Sequence, residues 1–277
     1  EVHKEDSKPG GAANVILNIV SLGAKVCAAG VVGADINSEK LMSYLKKYKV
    51  NTSAVIVDKK RPTTVKTRVI AHNQQVVRID RENKSDIESA EAKEIIAKIK
   101  KEIKTIDAVI FSDYDKGLLT KELVQGIIDI ASGKVITVDP KPSNMGIFNH
   151  VTLISPNKKE AAEAAGMVIN NEYDVLEASK KLKNITDAEA ILITRGEEGM
   201  SLYKDNLIYT IPTVAREVYD VTGAGDTVIS VVTLALTAGA SFEEACVLSN
   251  IAAGRVVAEV GVVTLTQAEL EAAVDGK

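Results

Sequence analysis

The sequence predicts an α/β fold built on a mainly parallel central sheet, and three observations carry that prediction. Four short, continuous apolar runs, 109–112, 135–138, 151–155 and 190–193, have the character of strands buried on both sheet faces. Helical stretches separate them, which makes the strands parallel and the crossovers right-handed. Each run also ends in a polar cluster: Asp113-Tyr114-Asp115-Lys116-Gly117, Asp139-Pro140-Lys141, Pro156-Asn157-Lys158-Lys159-Glu160 and Thr194-Arg195-Gly196. In open α/β sheets ligands bind beyond the carboxyl ends of the strands, so these clusters mark one candidate edge.

The elements follow in chain order. Pro9-Gly10-Gly11-Ala12-Ala13-Asn14 leads into an apolar helix that runs to Leu22, where Gly23 is placed as a stop. Residues 26–32 form a buried strand and 38–48 a helix. Residues 64–71 and 75–81 alternate in strand fashion about a turn at His72-Asn73-Gln74, which predicts a hairpin. The Lys and Glu residues of the 89–104 helix belong to a solvated face. Beyond the strand–helix alternation, Val218-Tyr219-Asp220-Val221-Thr222-Gly223-Ala224-Gly225-Asp226-Thr227 opens an apolar run, 228–240, with the look of a buried helix. Another helix runs from Phe242. With no internal repeat or interdomain linker, 1–277 is expected to be one domain, with 50–82 contributing a small β lid.

Composition narrows the function classes. The 277 residues are 45% hydrophobic and 26% charged, with a net charge of -4. That supports a real core and argues against a nucleic-acid footprint. Cys27 and Cys246 are far apart in apolar surroundings, as free thiols in a reducing compartment would be. His3, His72 and His150 have no metal-ligand spacing, so zinc or Ser-His-Asp chemistry is poorly supported. The charged opening is no signal peptide, and no apolar run reaches the roughly 18 residues of a membrane span. A cytoplasmic protein with no membrane partner is expected. There is no Walker A string and no well-placed Gly-x-Gly-x-x-G.

Chemistry concentrates at 223–226. Glycines let the backbone turn several N–H groups toward one point, and a helix start adds its positive end, which makes an anion hole. Asp226 stands at the rim, placed to take a proton from an attacking hydroxyl; phosphoryl transfer needs these two things side by side. A capping or dipole-matching aspartate is the plainer alternative. Asn157 and Glu160 have capping-box spacing. Strand alternation puts Lys66 and Arg68 on one face of the hairpin, with Arg78 and Asp80 sharing a face on the next strand. Such charges either protect an exposed edge or present cations to a phosphorylated sugar.

The 218–227 string resembles the signature of the ribokinase-like (PfkB) family of sugar kinases. The resemblance implies a three-layer α/β/α fold with a mainly parallel sheet and a β-hairpin lid. It makes Asp226 the catalytic base and the N–H groups of Gly223, Ala224 and Gly225 the anion hole. Asn157 and Glu160 would help hold Mg²⁺, mostly through water, and Thr194 and Gly196 would lie near the phosphates and ribose of ATP, with Asn250 near the adenine. Gly10, Gly11 and Asn14 match the family's sugar-contacting pattern. The set narrows toward the heptose 7-phosphate kinases through 9–15, Asn73-Gln74-Gln75 with Arg78-Ile79-Asp80, Ser112-Asp113-Tyr114 with Lys116-Gly117, 214–227 and Gly261-Val262-Val263-Thr264. That implies transfer from ATP to the C1 hydroxyl of D-glycero-D-manno-heptose 7-phosphate, on the way to ADP-heptose and the lipopolysaccharide core. Lys66, Arg68 and Lys116 are the candidates for the distal phosphate, Arg78 and Asp80 join them on the lid, and a monovalent cation and a homodimer through the lids belong to the same picture. Two departures from the family pattern stand out in the given residues: a strand and an Asp-containing segment are expected ahead of residue 1, and Lys277 falls about where the kinase domain of bifunctional relatives gives way to their nucleotidyltransferase domain. The rivals are a kinase for another sugar, such as ribose or fructose 6-phosphate, and a non-catalytic binding relative.

Overall fold

The four apolar runs lie in one sheet, and the alternation of their side chains makes three layers around it. The computed structural model describes residues 3, 5–71, 74–215, 218–259, 261 and 263–276. The expected turn residues His72 and Asn73, and Val262 of the closing motif, lie outside the described residues, as do Arg216 and Glu217 of the 214–227 stretch.

In chain order the helices are α1 (Ala12–Ser21), α2 (Ile36–Lys47), α3 (Ser89–Glu102), α4 (Lys121–Ile130), α5 (Lys158–Ala165), α6 (Glu172–Thr186), α7 (Ala224–Thr237), α8 (Phe242–Val256) and α9 (Gln267–Val274). The strands are β1 (Cys27–Gly33), β2 (Asn51–Asp58), β3 (Val65–Ala71), β4 (Gln74–Arg81), β5 (Ala108–Ser112), β6 (Val135–Asp139), β7 (Leu153–Ile154), β8 (Ala190–Thr194), β9 (Met200–Lys204) and β10 (Leu207–Ile211). The main sheet has the order β10-β9-β8-β7-β6-β5. β5 through β8 run parallel, while β9 and β10 form an antiparallel hairpin at one edge.

Side chains alternate across this sheet with period two. Phe111, Ile136, Val138, Ile154, Ile191 and Ile193 face the layer that contains α3 to α6, whose Ile95, Val124, Ala161 and Leu182 complete that core. Leu153, Ala190 and Leu192 face the other way, against Val15 of α1, Val228, Ile229 and Val232 of α7, and Cys246 of α8. Thr137 also points to this second layer and shares a 2.6 Å hydrogen bond with Thr233 of α7. A strand buried on both faces has no polar face to show, which explains the continuous apolar runs. Burial also pushes the Cys246 thiol up to about 12, as expected of an inert core cysteine.

Several elements depart from the sequence expectation. Only Leu153–Ile154 of the 151–155 run are strand, although the N–H groups of Thr152 and Ser155 still donate across to Ile136 and Val138. The β9–β10 hairpin was not anticipated. β1 lies in a separate parallel pair with β2, within the 50–82 stretch, so the hairpin itself is β3–β4. No helix among the described residues is long and apolar enough to cross a membrane.

Candidate active site

The apolar helix α7 begins where the sequence placed the anion hole. Its cap, Gly223, has φ +86°, a left-handed conformation that glycine adopts at little cost. Asp226 sits in the first turn, where the first N–H groups of a helix have no intrahelical acceptor. Of the three small residues, Ala224 spends its N–H on the Val221 carbonyl at 3.2 Å. In front of Gly225 there is open space, with nothing within 4 Å of where a Cβ would stand.

Two side chains from distant parts of the chain grip the carboxylate. Asn14 Nδ2 donates to Asp226 Oδ2 at 2.7 Å, and the Tyr114 hydroxyl donates to Oδ1 at 3.0 Å. Burial raises the proton affinity of Asp226, while Asn14, Tyr114 and the charge of Lys141 act to lower it. Burial and the neighbouring Asp226 push the Tyr114 phenol far above its ordinary value, so it stays a donor. The Tyr114 ring also lies over Gly11, about 3.5 Å from where a Cβ would stand, and Gly11 has φ +59°. The Gly10-Gly11 turn and Asp226 are thus joined through one tyrosine.

α1 and α7 are locked by a polar seam inside an apolar interface. Asn18 Nδ2 donates to the Asn14 carbonyl, Thr227 Oγ1 donates to Asn18 Oδ1, and Ser230 Oγ donates to the carbonyls of Asp226 and Val15. Buried polar groups demand partners, so this seam fixes where Asn14 meets Asp226. Asn14 Oδ1 is buried, with no hydrogen-bond partner among the described residues.

Beside Asp226 lies a carboxylate-rich strand edge. Asp113 Oδ2 accepts from Lys141 N and Asn144 Nδ2, both at 3.0 Å. Asp139 ends β6, and burial pushes its carboxyl up to about 7, with Lys141 opposing. Lys141 Nζ pairs with Glu160 Oε1. Asn157 and Glu160 do make a capping box at the start of α5: Asn157 Oδ1 accepts from Glu160 N and Glu160 Oε2 accepts from Asn157 N, each at 3.0 Å. Both oxygens of Glu160 are therefore engaged.

Thr194 stands next to Asn157 through a parallel bridge, and its N–H donates to the Pro156 carbonyl. Gly196 follows with φ +60°. Between them the buried Arg195 ties the loop down through Glu172 at 2.6 Å and Glu198 at 3.4 Å. Asn250 is buried on α8, and its Nδ2 donates to the Pro212 carbonyl at 2.7 Å. On the hairpin, the register pairs Lys66 with Asp80 and Arg68 with Arg78, which places all four on one face. Asp80 is ion-paired with Arg78 at 3.0 Å and with Lys66 at 3.7 Å. Lys116 pairs with Glu82 at 2.6 Å, where the hairpin leaves β4.

The sequence reading had given no role to Asn18, Tyr114, Asp139, Lys141 or Thr227. Two asparagines four apart on an otherwise apolar helix were a signal for Asn18, and Lys141 lay inside a strand-end cluster already noted. Contact between Tyr114 and Asp226 spans 112 positions and has no local sequence signal.

A family model described as pfkB family carbohydrate kinase matches residues 1–269. The bifunctional protein HldE of Desulfatibacillum aliphaticivorans is 46% identical over 275 residues, covering 98% of this chain and 56% of that protein. HldE of Nitratiruptor sp. is 45% identical over 271 residues, covering 98% and 58%. The chain thus spans a little over half the length of these relatives. Among solved structures, phosphofructokinase-2 from Escherichia coli in complex with potassium superposes with a TM-score of 0.79 at 19% identity, covering 100% of this chain and 93% of that one. Ribokinase from Thermotoga maritima gives 0.74 at 20% identity, covering 99% and 90%. These likenesses agree with the α/β/α layers and the mostly parallel sheet, and they make the fold ribokinase-like. On the family match and the identity to its relatives, the chain belongs to the pfkB family of carbohydrate kinases.

Proposed function

We propose that this chain is an ATP-dependent sugar kinase whose substrate is D-glycero-D-manno-heptose 7-phosphate, phosphorylated at its C1 hydroxyl. The observation that carries the reading is Asp226: a carboxylate held on both oxygens, in the first turn of α7, behind a left-handed glycine. Base and anion hole stand side by side, as in-line phosphoryl transfer requires. The two HldE proteins, similar along nearly the whole chain, point to heptose among the sugars.

In this reading the sugar hydroxyl approaches Asp226, which takes its proton as the oxygen attacks the γ-phosphorus. Asn14 keeps the carboxylate aimed, and its orphaned Oδ1 accepts from a second sugar hydroxyl. The free N–H groups at the start of α7 meet charge that builds on the transferring phosphoryl group. The open space before Gly225 leaves room for that group. Thr194, Gly196 and Asn250 serve the nucleotide, and Gly10 and Gly11 line the sugar. Lys66, Arg68, Arg78 and Asp80 form the lid's charged face, and Lys66, Arg68 and Lys116 meet the distal phosphate.

Among the described residues no group of three His, Cys, Asp or Glu forms a metal cage. Glu160 and Asn157 fit Mg²⁺ through the second lone pairs that their capping-box and Lys141 contacts leave on their oxygens, since Mg²⁺ keeps several waters and needs few carboxylates. When bound, Mg²⁺ would neutralise charge on the ATP oxygens. A monovalent cation is a further expectation, with potassium present in the E. coli structure. A homodimer through the lids is proposed from the hairpin's other face, where Val69, Val77 and Ile79 are exposed beside Ile70 and Val76.

The test is ADP release with Mg²⁺ and ATP across heptose 7-phosphate, ribose, fructose 6-phosphate and no sugar. Preference for heptose 7-phosphate is expected. Turnover confined to another sugar would discard the substrate, and silence with all of them would discard the kinase.

A further inference from the structure

Lys141 occupies a position that the proposed reaction does not yet use. Its backbone is fixed, because its N–H donates to the buried Asp113 carboxylate. Its side chain is half-buried and reaches from the end of β6 to Glu160 on the neighbouring α5. Its charge also acts on Asp139 and on Asp226. One ammonium therefore lies among the base, the strand-end carboxylates and the candidate metal ligand.

A largely covered ion pair of this kind is weak evidence for a structural strut, because desolvation offsets its attraction. Its placement matters more. A polyphosphate that runs from the Asn157–Glu160 side to the start of α7 must pass Lys141. Glu160 cannot serve a metal fully while one oxygen carries this ammonium. Bringing the metal and the nucleotide together thus leaves Glu160 with a new cation and Lys141 with a new anion, with the cation–anion pairing preserved at each centre.

We propose that Lys141 is a catalytic residue that leaves Glu160 on nucleotide binding and contacts the transferring γ-phosphoryl group. The inference rests on the sugar-kinase reading. In the step itself the sugar oxygen forms its bond to phosphorus and gives its proton to Asp226. The bond from phosphorus to the β–γ bridging oxygen breaks, and its electron pair leaves on ADP. Lys141 keeps its proton throughout and holds charge on the equatorial oxygens.

The test compares two nucleotides on wild type, Lys141→Met and Lys141→Arg. Binding of ADP and of the non-hydrolysable ATP analogue AMP-PNP is measured by calorimetry in saturating Mg²⁺, together with kcat. Lys141→Met should weaken AMP-PNP by about 10-fold or more and leave ADP within about 3-fold, since only the analogue carries the γ-group and a charged hydrogen bond is lost with it. Its kcat should fall by about 100-fold, and Lys141→Arg should recover most of the AMP-PNP affinity. Intact ADP binding also shows that the variant has folded. Equal weakening of both nucleotides, or kcat within about 3-fold of wild type, would overturn the proposal and leave Lys141 a structural residue. A wild-type chain that turns over normally keeps the kinase reading in either case; one that binds neither nucleotide would remove both.

Discussion

Replacing Asp139 by Asn should make the protein more stable at neutral pH, by an amount that depends on pH. Burial pushes this carboxyl from an ordinary 3.8 up to about 7. The folded state therefore holds a proton that the unfolded chain has already lost. The stability of the wild type falls as pH rises through 3.8, where the unfolded chain loses its proton, to about 7, where the folded state ionises too. At 1.36 kcal/mol per unit, a shift of roughly three units amounts to about 4 kcal/mol at its full extent. Asparagine keeps the shape and carries no such penalty. Urea unfolding of both proteins at about pH 4.5, 6 and 8 should show the variant ahead by only about 1 kcal/mol at the acid end and by about 4 kcal/mol at the alkaline end. A difference that stays flat across that range, or a wild type that gains on the variant as pH rises, would refute the assignment of a buried, proton-retaining Asp139.

Other consequences follow from particular contacts. Tyr114→Phe keeps the ring over Gly11 and removes the donor to Asp226. Losing a hydrogen bond to a charged group should lower kcat by about 10–100-fold. With that proton-repelling contact gone, the acid limb of the kcat profile should move to higher pH; an unmoved limb would mean that the hydroxyl does not tune the base. Gly117→Ala places a Cβ about 2.0 Å from the Ser85 carbonyl at a φ of +71°. It should cost more than about 2 kcal/mol in thermal or urea unfolding, and a loss below about 0.5 kcal/mol would contradict the tight seat of the hairpin exit. Val77→Glu on the apolar face of the lid should convert a dimer to a monomer in sedimentation, and an unchanged mass would place any dimer elsewhere.

Much of the fold was legible because burial on both sheet faces writes an unmistakable pattern. Strands β5 and β8 carry continuous apolar runs, for example Ala190-Ile191-Leu192-Ile193, and β6 breaks its run only at Thr137 before its terminal Asp139, since their two faces pack against different helix layers. The start of α7 was legible because few sequences other than a small-residue turn can bring N–H groups to one point. The β9–β10 hairpin was harder: Leu207 and Tyr209 are exposed, so its alternation is interrupted by surface residues. Beyond the 64–81 hairpin and the parallel sense of the main strands, pairing was not legible. β2 adds to β1 in parallel, and nothing in residues 51–58 names that neighbour. The same limit holds at the site. Asp226 was singled out by its local string, whereas the grip of Tyr114 and the Lys141–Glu160 pair depend on strand ends brought together only by the sheet order. Asn157 and Glu160 carry the capping box that their spacing suggested, and their use toward a metal is a matter of chemistry beyond it.

The central claim is that Asp226 is the base of a phosphoryl transfer, and Asp226→Asn tests it most directly. The amide keeps the size and can keep one of the two hydrogen bonds. Turnover with Mg²⁺, ATP and heptose 7-phosphate, measured beside ADP binding on the same sample, should fall by about 10²–10⁴-fold while ADP binding stays within about 3-fold. A variant that retains near-normal turnover would contradict the account, because the hydroxyl proton would then be going somewhere other than Asp226.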